Sequence, residues 1–325
     1  PVWSSILRNL QGSEFAGEIY AVDKARPRNR TSDAYRSLAS LPCVVDLALI
    51  CGSAADVPKL VRECGEAGVG AVVVTGGGFR EAGAVGRELG RLILRESARF
   101  DGMRILGPRS MGVLVPHLNM NASLAPAPPK PGRIAFISQS GTMCTSALDV
   151  AAEAEIGFSH FVSIGDALEV TVGDLIDYFA TDPHTDSIIL FLDAISDARQ
   201  FMSAARAIAK EKPIVVYKTG RFSESAEAAI SYTGSLASVD AVYEAAFERA
   251  GVVRVTEIDD MFDCAQLLAR SAVRTGPRLA IVTNAGGPGI VAVDSLLSRQ
   301  GQLAHLSSET LDQLSEVLPP QWSRA

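Results

Sequence analysis

Short runs of Val, Ile, Leu and Ala recur along the chain, and most run out into glycine just before a helix-like stretch begins. "CVVDLALICG", "VGAVVVTGGG" and "MRILGP" lie early. "RIAFISQSG", "FSHFVSIGD", "SIILFLDAI" and "PIVVYKTG" follow, and "RLAIVTNAGGPG" lies near the end. Runs this continuously apolar are buried on both faces, so they belong to parallel sheets covered by helices on either side. Right-handed crossovers then bring the glycine-rich strand ends to one edge of each sheet, where ligands bind. The pattern predicts an α/β protein.

At 325 residues the chain exceeds one ordinary domain. The proline-rich "LAPAPPKPG" cannot continue a helix and reads as a linker. It separates a first unit, 1–127, from a second, 128–274. A third, 275–325, begins at "RLAIVTNAGGPG" and stops after one strand, one helix and a short tail. The first unit has no GxGxxG turn, and its opening strand is missing from the pattern. Both chain ends, Pro1 and "LPPQWSRA", read as cut from something larger.

Bulk properties narrow the function. A net charge of −7 argues against a general nucleic-acid binder, while leaving room for a locally basic pocket. Cys43, Cys51, Cys64, Cys144 and Cys264 are scattered, without CxxC pairs. That is the usage of reduced thiols in a cytoplasmic protein, not of a disulfide frame or a zinc site. No signal peptide and no bilayer-spanning apolar run is present, which excludes a membrane partner. His117, His160, His184 and His305 show no metal-like spacing and receive no role.

The strand ends carry the candidate chemistry. In "ISQSGTM", Ser138, Gln139, Ser140 and Gly141 lead into a helix whose free N–H groups attract a phosphate or carboxylate; an ordinary N-cap and tight turn is the plainer reading. In "VVTGGGF", Gly76, Gly77, Gly78 and Phe79 let backbone approach a ligand closely. With "ILGPRSMGV" on the same sheet edge, they point to a nucleotide-like ligand, or else to strand-to-helix packing. "SYTGSLASVD" is a loop of small hydroxyl-bearing residues and glycine that presents Tyr232 at its crest.

Together "ISQSGTM", "SIGDALEVTVGDLIDYFATDPHTDSIILFLDAI", "KPIVVYKTGR", "SYTGSLASVDAVYEAAFERAGVVRV" and "TNAGGPG" resemble the NDP-forming (ADP-forming) acyl-CoA synthetases, relatives of the succinyl-CoA synthetase α subunit. The central segment is most similar to the synthetase-like region of bacterial protein lysine acetyltransferases. The resemblance implies a Rossmann-like CoA-binding domain, then a succinyl-CoA synthetase-like flavodoxin domain and part of a second one. It implies that coenzyme A or acyl-CoA is lined by Lys24, Ser53, Ala54, Gly76 to Phe79, and Gly107, Pro108, Arg109 and Ser110. Arg109 stands where the family usually has asparagine, and a cation there could pair with a phosphate of coenzyme A or with another anion. The family's leading glycine loop, before "VWSSILRNL", is not in this chain.

In the family a phosphohistidine in a Ser-His-Thr-Gly loop passes phosphate between nucleotide and acyl substrate, and a glutamate orients it. The matching positions here are Tyr232, flanked by Thr233 and Gly234, and Asp193; Ser138 to Gly141 would cradle the phosphate. A phenol with a pKa of about 10 is a far weaker nucleophile near neutrality than imidazole. The resemblance therefore supports two expectations. One is a regulatory or sensing module that binds acyl-CoA, linked to an acetyltransferase, with its phosphate relay impaired. The other is the active α-like part of an acyl-CoA ligase, with ATP and ADP handled by a nucleotide-grasp partner domain or subunit. A homo-oligomer is implied by the same analogy.

Overall fold

The computed structural model describes residues 2–23, 34–222, 225, 240–270 and 276–319. By compactness the chain divides into Pro1–Ala272 and Val273–Ala325. The larger unit opens with helix α1 (Val2–Gly12), followed by β1 (Leu47–Ile50), α2 (Val57–Glu66), β2 (Ala71–Val74), α3 (Gly83–Ser97) and β3 (Arg104–Leu106). The three strands form a parallel sheet in the order β1-β2-β3. Val57, Val61 and Cys64 of α2 and Ile93 of α3 close over Val72, Val74 and Ile105 on one face. Beside the outer edge of β1 lies a cavity of about 1000 Å³, bordered by Trp3, Ile6 and Leu10 of α1, by Ile19 and by Leu47 and Leu49.

The second sheet is larger. It is built from β4 (Gly112–Val115), β5 (Met120–Ser123), β6 (Pro131–Ser138), β7 (Phe158–Ser163), β8 (Ser187–Leu192), β9 (Ile214–Lys218) and β10 (Val253–Val255). Their order is β10-β9-β8-β6-β7-β4-β5. Helices α4 (Gly141–Glu153), α5 (Val172–Thr181), α6 (Ala198–Ile208), α7 (Asp240–Ala250) and α8 (Ile258–Arg270) connect and cover it. Successive residues of β6 face opposite layers, as a strand's twofold period requires. Ala135 and Ile137 meet α5 and α6 through Ile176, Phe179 and Phe201. Ile134 and Phe136 meet α4 and α8 through Ala147, Leu148 and Phe262. Every residue of β7 and β8 is buried; the apolar run of β8 predicts this, whereas β7 also buries Ser159, His160 and Ser163.

One part of the sheet departs from the sequence pattern. β4 and β5 form an antiparallel hairpin, and β4 also runs antiparallel to β7. These strands lie before the proline-rich stretch, yet they complete the second sheet. Each has only four residues, and the turn between them depends on Asn119 in the left-handed region (φ 53). A pair that short carries no periodic signal.

In the smaller unit β11 (Arg278–Leu279) and β12 (Gln302–Leu303) pair in parallel around α9 (Gly286–Ser298), with α10 (Ser308–Val317) following. It thus holds a second strand and a second helix where the sequence suggests one of each. The two-residue β12 is too short to read from pattern, while α10 has a legible start, Ser307 accepting from the Thr310 N–H.

The loops after β3 and β7 interlock. The Asp166 N–H donates to Pro108 O (2.9 Å), Leu168 N–H to Gly107 O (3.0 Å) and Val170 N–H to Ile105 O (3.1 Å). Gly165, at φ 58, sits so close that a Cβ there would run into the Pro108 carbonyl. Gly165→Ala should therefore cost at least about 2 kcal/mol, from left-handed backbone plus displacement of the adjoining loop. Chemical denaturation of both proteins checks this, and a loss below 0.5 kcal/mol, roughly the scatter of ordinary surface substitutions, contradicts it.

Candidate functional site

Three loops meet at the ends of β1, β2 and β3. A Cβ at Gly76 would come within 3.0 Å of Gly52 O, and one at Gly78 within 2.8 Å of the Ala54 methyl. The Arg109 N–H donates to Gly76 O (3.0 Å), and the Arg109 stem lies 3.7 Å from where a Gly77 Cβ would stand. Ser53, Ala54, Gly76 to Gly78 and Gly107 to Arg109 are thus brought together. Lys24 lies outside the described residues.

Two of these candidates turn inward. The Phe79 ring is 2% exposed and belongs to the core of the first sheet. Ser110 is 1% exposed, and its hydroxyl donates to Ser163 O (2.6 Å) while accepting from the Gly112 N–H (2.9 Å). Both hold the loops in place.

Charged side chains that sequence reasoning passed over occupy this junction. Glu81 accepts from the N–H groups of Gly78 (2.6 Å) and Phe79 (3.2 Å), so the protein's own carboxylate fills the nest at the glycine run. Partial burial opposes its charge, but the Gly78 and Glu81 N–H groups, Arg109 and the Phe79 N–H outweigh that and hold its pKa below the ordinary value. Arg109 reaches across to Asp166 at the end of β7 (Nη1 to Oδ1, 3.2 Å), and Arg80 donates to the Asp166 carbonyl (2.9 Å). Asp166 is 6% exposed; burial raises its pKa against the pull of Arg109 and Arg80. The "SIGD" motif marked the stretch, but not which atom mattered.

A second cluster lies at the ends of β6, β8 and β9. The Ser138 hydroxyl, fully buried, accepts from the Ser140 N–H (3.0 Å) and donates to Ser140 O (3.0 Å). Ser140 caps α4, accepting from the Met143 N–H at 3.3 Å. These bonds are those of a tight turn and an N-cap, and they aim the start of α4, at Gly141, along the strand ends. The Gln139 amide is directed to the backbone of the next strand's loop. It accepts from the N–H groups of Asp193 (2.7 Å) and Ala194 (3.0 Å) and donates to Ala194 O (2.8 Å). Gln139 therefore fixes the loop that carries Asp193, whose Oδ1 accepts from the Thr219 hydroxyl (2.8 Å).

Lys218, at the end of β9, is 5% exposed; it donates to Thr219 O, and its ammonium lies 4.6 Å from the centre of the Tyr243 ring. Burial lowers its pKa, with Arg254 adding to the effect and Asp193 and Asp240 opposing it. A strand-end lysine beside the candidate loops was the available signal. Tyr232, Thr233 and Gly234 lie outside the described residues.

Three histidines far apart in sequence gather at the opposite end of the large sheet. The rings of His117 and His184 stack at 4.1 Å, His117 meets His160 edge-on at 5.4 Å, and Asp182 lies 3.5 Å from His160 Nδ1. Among the described residues no three His, Cys, Asp or Glu side chains are placed to hold a metal ion. Likewise no described helix is long and apolar enough to cross a membrane.

The geometry of the larger unit is that of two α/β sheets with the candidate ligand loops at their strand ends. Comparison with known proteins gives those sheets names. Residues 4–116 match the family model of a CoA binding domain, and 131–268 that of a succinyl-CoA ligase-like flavodoxin domain. Acetate–CoA ligase [ADP-forming] I of Archaeoglobus fulgidus is 38% identical over 98% of this chain and 46% of its own length. The ligase I α subunit of Pyrococcus furiosus is 36% identical over 97% of this chain and 69% of its own. The structure of acetyl-coenzyme A synthetase 1 from Ca. Korarchaeum cryptofilum, in complex with phosphate and ADP, superimposes with a TM-score of 0.90. It is 34% identical and covers 98% of this chain and 68% of its own. The chain belongs to the family of NDP-forming acetyl-CoA synthetases, in its α-like part of CoA-binding and succinyl-CoA ligase-like domains. It spans less than half the length of the Archaeoglobus ligase.

The histidine cluster predicts an acid-sensitive fold. Burial lowers the His160 pKa, the neighbouring His117 and His184 lower it further, and Asp182 only partly offsets them. A depressed imidazole pKa stabilises the fold fully above about pH 6.5, and that contribution is lost as the pH falls through the folded value. Stability should decline from pH 6.5 toward 5, and His160→Gln should flatten that slope whatever it does to absolute stability. Denaturation midpoints across this range decide it, and an equally steep slope in the variant refutes the assignment.

Proposed function

We propose that this chain is the coenzyme A-binding, α-like part of an NDP-forming acyl-CoA ligase, acting with a nucleotide-grasp partner that handles ATP. The observation carrying this reading is the junction of the two loop clusters. The Gly76–Phe79 and Gly107–Ser110 loops are locked onto the end of β7, and a Cβ at Gly141, where α4 starts, would lie 3.8 Å from the Met111 Cβ. The names of the relatives support it.

The residues present suit the cofactor. The loops approach one another so closely that side chains at Gly76 or Gly78 would collide, and Arg80 and Arg109 supply cations for a polyanionic ligand. Bound there, coenzyme A supplies the thiol that ends as the thioester. The start of α4 offers N–H groups and the positive end of its dipole to a phosphoryl group. Gln139 holds the Asp193 loop against that helix start, and the charge of Lys218 acts on that of Asp193. Acetate and its short-chain relatives are the first acids to test, following the relatives' names.

The sequence of the 231–239 loop favours a second reading of the same site. With Tyr232 at the phosphohistidine position and the shorter Asp193 at the orienting position, the relay from nucleotide to acid lacks its usual nucleophile. The chain would then bind acyl-CoA as a sensing module linked to an acetyltransferase.

One assay separates the two. The full-length protein, with a family nucleotide-grasp subunit, is incubated with labelled ATP, acetate and coenzyme A. The ligase reading expects ADP, phosphate and acetyl-CoA. Binding of acetyl-CoA by calorimetry without turnover, together with labelled phosphate appearing only in the Tyr232→His, Asp193→Glu double variant, transfers the assignment to the sensing module. A protein that binds neither coenzyme A nor acetyl-CoA sinks both.

A further inference from the structure

Arg254 shows how this fold treats a buried cation. Its side chain is 6% exposed and is met by two carboxylates, Asp240 (2.5 Å) and Glu244 (2.7 Å). Lys218 is treated differently. It is 5% exposed, yet among the described residues no carboxylate comes within ion-pairing distance of its ammonium. Asp193 and Asp240 act on it only through space. Oδ1 of Asp193 takes the Thr219 hydroxyl, and Oδ1 of Asp240 takes the Arg254 guanidinium.

A buried ammonium without a paired anion is costly, and its three N–H groups each want an acceptor. Among the described residues Lys218 has one, the Thr219 carbonyl, besides the face of the Tyr243 ring at 4.6 Å. Methionine, of similar length and apolar, would close the end of β9 without that cost. Packing alone therefore gives no reason for a lysine here.

The surroundings fix the amine. Tyr243, from α7, carries the ammonium on its ring and takes the Ile195 N–H on its hydroxyl (3.3 Å). One side chain thus ties Lys218 to the loop that bears Asp193, and Gln139 ties the same loop to the start of α4. Asp193, Ala194, Ile195, Thr219 and Tyr243 are all half-buried, so the rim around the amine lies open at the strand ends.

We propose that Lys218 recognises a small oxyanion at the strand ends of the second sheet, and that Tyr243 is the positioning residue that presents it. The inference rests on the ligase reading above and deepens it by giving the site at the ends of β6, β8 and β9 its cation. The ligand has two sources, a phosphoryl group or the carboxylate of the acid. Their chemistry is shared, oxygens that accept from the two N–H groups left on Lys218, and separate ligands tell them apart.

The test is calorimetric titration of the full-length protein with inorganic phosphate, with acetate and with coenzyme A. The proteins are wild type, Lys218→Met, Lys218→Arg, Tyr243→Phe and Tyr243→Leu. Lys218→Met should weaken binding of phosphate or of acetate about tenfold or more, the least expected for a lost charge-assisted hydrogen bond. It should leave coenzyme A unchanged, because the loops read as that site lie on the first sheet. Lys218→Arg keeps the charge and should fall between. Tyr243→Phe keeps the ring and should bind nearly as wild type, whereas Tyr243→Leu removes it and should approach Lys218→Met. A loss with phosphate names the phosphoryl group as the source, and a loss with acetate names the acid.

Unchanged binding of both oxyanions in Lys218→Met overturns the proposal, and so does a wild-type protein that binds neither. An equal loss for coenzyme A also overturns it, since that marks a distorted fold and not a lost contact. Should Lys218→Met fail to fold, Lys218→Arg and the two Tyr243 variants still decide. A wild-type protein that binds an oxyanion but not coenzyme A brings down the ligase reading, while Lys218→Met still reports on the oxyanion. A protein that binds coenzyme A, and whose oxyanion binding ignores Lys218, removes this inference alone.

Discussion

The interlock between the loop after β3 and the loop after β7 sets what the larger unit can do. Three backbone hydrogen bonds run across it, from Asp166, Leu168 and Val170 to Pro108, Gly107 and Ile105. The Ser110 hydroxyl, donating to Ser163 O, and the Met111 N–H, donating to the Ser163 hydroxyl, add two more. Each neutral bond contributes on the order of 1 kcal/mol, but leaving such buried groups unpaired would cost more, so the loops open together or not at all. Arg104 closes the outer side of the same junction with Glu169 (2.9 Å) and Asp174 (3.2 Å), while Glu169 also takes the Ile105 N–H (2.7 Å). The consequence is geometric. The strand ends of two separate sheets are held as one rigid edge, so a ligand lying on the first sheet's loops keeps a fixed distance from the start of α4.

The electrostatics of that edge follow from the same closeness. At the glycine run the Gly78 and Phe79 N–H groups are taken by Glu81. Two arginines and two carboxylates of compensating charge remain, Arg80, Arg109, Glu81 and Asp166. Such a set is compatible with the chain's overall charge of −7. Bulk charge argues against nucleic acid but is silent on a site as local as this one.

How much of this was legible varies by element. β2, β6, β8 and β9 announce themselves through unbroken apolar runs, because a strand buried on both faces leaves no other composition open. The glycines at Gly76 to Gly78 and Gly107 marked the strand ends correctly. What the sequence could not show is which side chains cross between sheets. Arg109 reads as a free cation at a strand end, yet it meets a carboxylate 57 positions further on. Gln139 reads as part of a phosphate loop, yet its amide braces Asp193. The β4–β5 hairpin and the grouping of His117, His160 and His184 depend on tertiary pairing with β7, which no local pattern encodes.

The two clusters are held by different contacts. The strand-end loops of the first sheet are fixed by contacts among Gly52, Ala54, Gly76 to Gly78, Arg109 and Asp166. Asp193 is different. Its carboxylate is held by the Thr219 hydroxyl on the adjoining strand, and its backbone by Gln139. A carboxylate one methylene shorter than glutamate, and tied to its neighbour, braces the end of β8 against that of β9. On the sensing-module reading proposed above, phenol in place of imidazole at position 232 would weaken nucleotide-driven phosphate transfer, the phenol being the poorer nucleophile near neutrality.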